Sequence, residues 1–169
     1  EKIVYAMDKA GCDLIELGIP FSDPTAEGPV IQEANVRALS NGVTTDKVFA
    51  MINRIRKNTD IPMVFMTYAN VVYSYGIEKF CQKMVEGNMS GMILPDVPFE
   101  EKEEFDTVCE EYGLDLISMI APTSHQRIQT IAKEANGFIY CVSSLSVTGV
   151  RSKITTDISA MVDLVREVT

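Results

Sequence analysis

The sequence contains no tryptophan and only one histidine, His125, among its 169 residues. Its four cysteines, Cys12, Cys81, Cys109 and Cys141, stand far apart and form no Cys-x-x-Cys pair. A zinc site needs several cysteine or histidine ligands, and a disulfide framework is typical of small secreted chains. We therefore expect no metal site and no disulfide scaffold, and we interpret the cysteines as small buried hydrophobic residues.

Basic residues are also scarce, because 15 lysines and arginines stand against 24 aspartates and glutamates, a formal net charge of −9. Such a chain would repel a phosphate backbone unless a local basic patch compensated, and the sequence shows none. It has no apolar run near the roughly 20 residues of a transmembrane helix, and its first residues lack the layout of a signal peptide. We expect neither nucleic acid nor a membrane as a partner, and a cytoplasmic location.

Short apolar runs are what the sequence does contain. Five of them predict β-strands: DLIEL from Asp13, PMVFMTY from Pro62, GMILP from Gly91, LDLISMI from Leu114 and GFIYCVS from Gly137. They are too continuous to alternate with polar residues, which is typical of parallel strands covered by helices on both faces. Helical spacing of apolar residues separates successive runs, and two helices, Val30 to Ser40 and about Asp46 to Lys57, follow the first strand.

This alternation predicts an α/β fold, either a TIM-type barrel or a doubly wound sheet, in a single domain over residues 1–169. Both architectures place chemistry at the carboxyl ends of the strands. The polar and glycine-rich segments fall there, and we expect them to be loops: IPFSDPTAEGP, ANVVYSYG, DVPFEE, APTSH and SLSVTGVRSK.

Four of these segments carry a family resemblance. They are ELGIPFSDPTAEGP (Glu16 to Pro29), YANVVYSYG (Tyr68 to Gly76), PDVPFEE (Pro95 to Glu101) and YCVSSLSVTGVR (Tyr140 to Arg151). Together they resemble the tryptophan synthase alpha subunit family. The resemblance implies a TIM (βα)8 barrel, of which this chain would be an incomplete segment, truncated at both ends, covering about strands 2 to 6 with their helices.

The resemblance also implies a function in L-tryptophan biosynthesis. The family is a lyase that cleaves indole-3-glycerol phosphate into indole and glyceraldehyde 3-phosphate by a retro-aldol reaction. It needs neither metal nor organic cofactor, and it passes indole to a beta subunit in an alpha2beta2-type complex. Pyridoxal phosphate belongs to that beta subunit.

Two carboxylates carry the catalytic roles that the resemblance implies. Glu16 matches the catalytic glutamate at the end of the second strand, and Glu27 stands where the family usually has aspartate. As a general acid, Glu16 needs a protonated population near neutral pH, so we expect burial at an apolar strand end to raise its pKa. The extra methylene of Glu27 would move its carboxylate by roughly 1.5 Å in an unadjusted loop.

The other matched residues lie on separate loops. Tyr68 and Tyr140 match tyrosines near the indole, and Thr148 matches a threonine of the mobile loop after the sixth strand. Pro20 and Asp23 match residues that face the beta subunit. In the same mobile loop, Ser146 replaces a common glycine, a change that could stiffen loop closure.

Two alternatives stay open at this point. The chain could be another phosphate-binding barrel, although the paired carboxylates in SDPTAEGP argue against an isomerase, or a non-catalytic module that binds and activates the beta subunit. Barrels bind phosphate chiefly after strands seven and eight, which the sequence lacks, so we expect the 169-residue chain itself to bind substrate poorly.

Overall fold

The computed structural model describes residues 1–144, 149 and 156–169. Within those ranges all strands pair in parallel. Strands β1 to β4 form one sheet in chain order, and β5 pairs with β6. Their bounds are β1 Ile15–Gly18, β2 Met63–Met66, β3 Gly91–Ile93, β4 Asp115–Leu116, β5 Ser118–Ile120 and β6 Ile139–Cys141. The order never reverses, whereas a doubly wound sheet reverses at its switch point. The topology therefore favours the barrel of the two predicted architectures.

The predicted fourth strand is divided in the structure. Its first part, β4, pairs with β3, and its second part, β5, pairs with β6. Between them the Ile117 amide still donates to the Met92 carbonyl at 2.9 Å, so the two sheets are continuous through this strand. Barrel strands are staggered, and each overlaps one neighbour near its start and the other near its end.

Helices follow the strands as predicted. They are α1 Lys2–Lys9, α2 Pro29–Ser40, α3 Thr45–Ile55, α4 Ala69–Tyr75, α5 Ile77–Glu86, α6 Glu103–Glu111, α7 His125–Glu134 and α8 Ile158–Arg166. Side chains of Thr44, Ser124 and Asp157 accept backbone N–H groups at the starts of α3, α7 and α8. Such caps satisfy donors that the first helical turn leaves free, which explains why these helices begin where they do.

Two of the predicted loops contain helical structure, so the prediction was wrong there. The segment ANVVYSYG forms α4, and DVPFEE contains a 3-10 turn at Phe99–Glu101. Helix α4 is possible because Asp96, on the next strand's loop, accepts its first N–H, and because Val72 is fully buried beneath it. Gly76, at φ 93°, then turns the chain directly into α5, a conformation that favours glycine.

The two faces of the sheet bury different side chains. The outer face packs against the helices through an aromatic cluster of Phe49, Phe65 and Phe80, whose ring centroids lie 5.1 to 5.8 Å apart. Each such ring contributes roughly 1.5–3 kcal/mol when fully buried. The inner face carries a smaller apolar cluster built on Val64, Ile93 and Ile117. Glu16 is in register with Val64, so the strand presents its carboxylate on this inner face.

Candidate active site

A cavity of about 630 Å³ opens at the carboxyl ends of the strands. It brings together four of the residues that the sequence singled out, Glu16, Glu27, Tyr68 and Tyr140. Ile31, Met66, Met119 and Pro95 supply apolar walls, while Asn35 and Ser143 add polar groups. An apolar pocket with a few convergent polar groups is the usual form of a small-molecule site.

Glu16 faces this cavity from β1. Its side chain is exposed through the open inner face, and it makes no ion pair or hydrogen bond recorded within the described ranges. The surrounding protein nevertheless desolvates the carboxylate, and this raises the pKa of Glu16, as predicted. The burial expected for this side chain is incomplete, because β1 is an edge strand of the described β1–β4 sheet.

Tyr140 approaches the same carboxylate from β6. Burial raises the pKa of the Tyr140 phenol, and the charge of Glu16 raises it further. The Glu16 carboxylate is therefore close enough to Tyr140 for its charge to disfavour ionisation of the phenol. Tyr140 is half-buried and packs with the inner-face cluster, so its ring forms part of the cavity wall next to Glu16.

Glu27 reaches the cavity from the loop between β1 and α2. Gly28 and Pro29 follow it and start α2, where proline is favoured at the first helical position. The backbone around Glu27 is held on both sides: the Ala26 amide donates to the Tyr68 hydroxyl at 3.0 Å, and Gln32 Nε2 donates to the Glu27 carbonyl at 2.9 Å. One carboxylate oxygen of Glu27, Oε2, is buried and has no hydrogen-bond partner in the described part of the chain. A buried acceptor without a donor is costly, so this oxygen is suited to a ligand N–H.

Tyr68 is the residue that fastens this loop. Its side chain is only 3% exposed, and its ring lies 5.4 Å from that of Phe21, which belongs to the same loop as Glu27. Burial is the main cause that raises the pKa of Tyr68 to about 12. The hydrogen bond from the Ala26 amide lowers it, and the charge of Glu27 raises it further. The structure thus places Tyr68 on the cavity wall but binds its hydroxyl to the loop.

Pro20 and Asp23 lie away from the cavity. Pro20 lines a separate open groove of about 340 Å³, between the β1 loop and residues of α3 and α4. Asp23 is exposed, and Ser22 Oγ donates to its carboxylate. Thr148 and Ser146 lie outside the described residues, although Gly149, next to Thr148, lines the cavity.

Several cavity residues were not predicted. Met66 and Met119 lie near the ends of their strands and on the same face of the sheet as Glu16. Side chains alternate between the two faces along a strand, so counting in steps of two could have predicted that both face the cavity. Ile31 and Asn35 lie one turn apart on α2, a helix without a single fully buried residue. Because the helix has no clear apolar face, its sequence gave no signal for which side meets the cavity.

Comparison with known proteins decides the family. The family model described as tryptophan synthase alpha chain matches residues 1–169. The chain belongs to the tryptophan synthase alpha chain family. The alpha chain of Lactiplantibacillus plantarum is 50% identical over 167 residues, covering 98% of this chain and 63% of that protein. The alpha chain of Lacticaseibacillus casei is 45% identical over 168 residues, with 99% and 63% covered.

Solved structures agree with the family assignment. Tryptophan synthase subunit alpha from Campylobacter jejuni superposes with a TM-score of 0.86 at 34% identity, covering 99% of this chain and 67% of that one. A structure of the tryptophan synthase a2b2 complex from Pyrococcus furiosus gives a TM-score of 0.87 at 32% identity, with 99% and 67% covered. The fold is therefore an incomplete TIM (βα)8 barrel, as predicted, and the chain spans about 63% of the length of these curated alpha chains.

The described residues contain neither a candidate metal cluster nor a candidate membrane-spanning helix. Within residues 1–144, 149 and 156–169, no group of three or more histidine, cysteine, aspartate or glutamate side chains could hold a metal ion. Across the same ranges, no helix has the length and apolar character to cross a membrane.

Proposed function

We propose that the protein cleaves indole-3-glycerol phosphate into indole and glyceraldehyde 3-phosphate, a lyase step of L-tryptophan biosynthesis. The observation that carries this proposal is the convergence of two carboxylates on one apolar cavity at the carboxyl ends of the strands. Desolvation raises the pKa of Glu16, while Glu27 offers a buried acceptor oxygen. We also propose that residues 1–169 fold as one unit, which coincident unfolding transitions by two probes would check.

The reaction breaks the bond between indole C3 and the first carbon of the glycerol chain. A proton is added to C3, the hydroxyl on that first carbon loses its proton, and the electrons of its O–H bond form the aldehyde C=O as the carbon–carbon bond breaks. The electron pair of the broken bond returns to the ring and neutralises the positive charge on the nitrogen. We assign the proton transfers to Glu16, because a carboxyl group with a raised pKa holds a proton nearer to neutral pH.

Glu27 would manage the charge on the indole ring. Protonation at C3 makes the ring nitrogen positive, and a carboxylate that accepts the ring N–H stabilises that charge. The buried oxygen of Glu27 is available for this bond. Met66, Met119 and Ile31 offer apolar contact to the ring, and Tyr140 lies beside Glu16. Thr148, from the loop after β6, is proposed to support the Glu27 carboxylate.

We further propose a beta subunit as the partner, in an alpha2beta2-type complex. Pro20 and Asp23 are the proposed contact residues, and the groove beside Pro20 and the exposed Asp23 carboxylate leave both open to a partner. The cleavage itself is proposed to need no cofactor, with pyridoxal phosphate held by the beta subunit. Such a biosynthetic lyase is expected in the cytoplasm, which cell fractionation would check.

Indole release in the presence of purified beta subunit tests the proposal. Indole-3-glycerol phosphate carries the same indole ring as the product, so the two compounds are separated by chromatography before indole is quantified. We expect indole-3-glycerol phosphate to be consumed and indole formed in equal amounts. Activation of the beta subunit without cleavage would instead support the non-catalytic module, and turnover of an isomerase substrate of the same pathway would support another barrel enzyme.

A further inference from the structure

The residues that follow β2 contact the loops of both neighbouring strands. From the β1 side, the Ala26 amide donates to the Tyr68 hydroxyl at 3.0 Å, and the Phe21 ring packs against the Tyr68 ring. From the β3 side, both oxygens of Asp96 accept the Ala69 amide, at 3.0 and 3.2 Å. Tyr68 and Ala69 are consecutive, so the two loops are joined through one peptide unit.

Asp96 fixes the backbone at this point. Ala69 is the first residue of α4, and its N–H has no partner within the helix, so the Asp96 carboxylate satisfies it. Tyr68 is the residue before the helix, and its backbone is extended, at φ −103° and ψ 149°. The Asp96 hydrogen bond therefore fixes the peptide unit that joins Tyr68 to Ala69, and with it the direction of the Tyr68 side chain.

We propose that Asp96 and Tyr68 form a latch that fixes the Glu27 loop, and that both are positioning residues for the Glu27 carboxylate. Asp96 holds the start of α4, Tyr68 holds the Ala26 amide, and Glu27 is the next residue along the loop. Tyr68 thus serves the reaction through Glu27, whereas the family resemblance implies contact with the indole. The catalytic part of this inference rests on the proposed function.

The latch is tested first by amide hydrogen exchange, which needs no substrate. In Tyr68→Phe we expect the Ala26 amide to exchange about fivefold to tenfold faster, since it loses one hydrogen bond. In Asp96→Ala we expect faster exchange at Ala69 and also at Ala26, which Asp96 does not touch. In Asp96→Asn, which keeps an acceptor oxygen, both amides should exchange at nearly the wild-type rate.

Tyr75→Phe is the matched control. Tyr75 ends α4, and its hydroxyl donates to Asp46 of α3 at 2.6 Å and to no group of the Glu27 loop in the described residues. This variant loses the same chemical group from the other end of the helix and should leave the Ala26 amide unchanged. If Asp96→Ala accelerates exchange at Ala69 but not at Ala26, Asp96 is only a local cap and the latch is refuted.

Cleavage kinetics provide the second readout. Tyr68→Phe and Asp96→Ala should lower kcat about tenfold or more with KM changed less than about threefold, because the misplaced Glu27 matters in the transition state. Asp96→Asn should restore kcat. A larger change in KM than in kcat would overturn the positioning role. If the wild-type protein shows no cleavage even at substrate concentrations high enough to offset the weak binding expected of residues 1–169, the proposed function fails. The exchange coupling between Ala69 and Ala26 still decides the latch.

Discussion

Shortening Glu27 to aspartate probes how tightly the loop sets its carboxylate. The Glu27 backbone is pinned by the Ala26 amide bond to Tyr68 at 3.0 Å and by the Gln32 bond to the Glu27 carbonyl at 2.9 Å. Because the loop is held on both sides, it cannot follow a shorter side chain. In Glu27→Asp the carboxylate therefore retracts by nearly the full length of one methylene, roughly 1.5 Å.

A displacement of that size is large for a catalytic group. A misplacement of about 1 Å costs on the order of 10²-fold in rate, so we expect Glu27→Asp to lower kcat for indole release by about that factor. Glu27→Gln, which keeps the length and removes the charge, separates reach from charge. Glu33→Asp is the matched control, because Glu33 is a surface residue of α2 whose only described ion pair is with Arg37. Unchanged or increased kcat in Glu27→Asp would refute the pinned-loop reasoning.

Three further predictions concern stability. Because the pKa of Glu16 is raised in the folded state, the stability of the wild type falls as pH rises through the Glu16 titration. Glu16→Gln should therefore unfold at a higher denaturant concentration than the wild type at pH 8 and at a similar one at pH 4. Equal pH dependence of stability in both proteins would contradict the raised pKa. In Gly91→Ala, the new Cβ would lie 2.2 Å from the Asp115 carbonyl oxygen and force β3 and β4 apart, costing about 1–3 kcal/mol in chemical denaturation. Gly149→Ala is the control, because no atom of the described residues lies within 4 Å of its new Cβ, and equal stability of the two variants would show that the strands yield freely. Arg56 donates to the carbonyls of Gly87, Ile61 and Asn88 at 3.0, 2.5 and 2.6 Å. Arg56→Ala should therefore lower the free energy of unfolding by about 2–4 kcal/mol, and Arg56→Lys by somewhat less. A loss below about 0.5 kcal/mol in Arg56→Ala would show that these carbonyls are satisfied without the guanidinium group.

The sheet and the position of Glu16 were predictable from local pattern. Continuous apolar runs indicated parallel strands, and Glu16 interrupts the first of these runs near its carboxyl end. The direction of the Glu16 pKa followed from the same pattern, because an apolar strand end desolvates a carboxylate.

The arrangement of the loops was not predictable in the same way. The Ala26 amide and the Tyr68 hydroxyl are 42 residues apart in sequence, and the Asp96 cap of Ala69 joins residues 27 apart. Neither bond leaves a periodic signal, because each depends on how neighbouring strands are aligned. Helix α4 was missed for this reason: its first N–H is satisfied by a side chain from another loop.

The central claim is that Glu16 transfers protons in the cleavage of indole-3-glycerol phosphate. The most direct test compares kcat for indole release in wild type and Glu16→Gln with the beta subunit present, alongside circular dichroism and beta-subunit activation. The account predicts a loss of about 10²–10⁴-fold in kcat with fold and activation retained. Near-normal turnover by Glu16→Gln would contradict it.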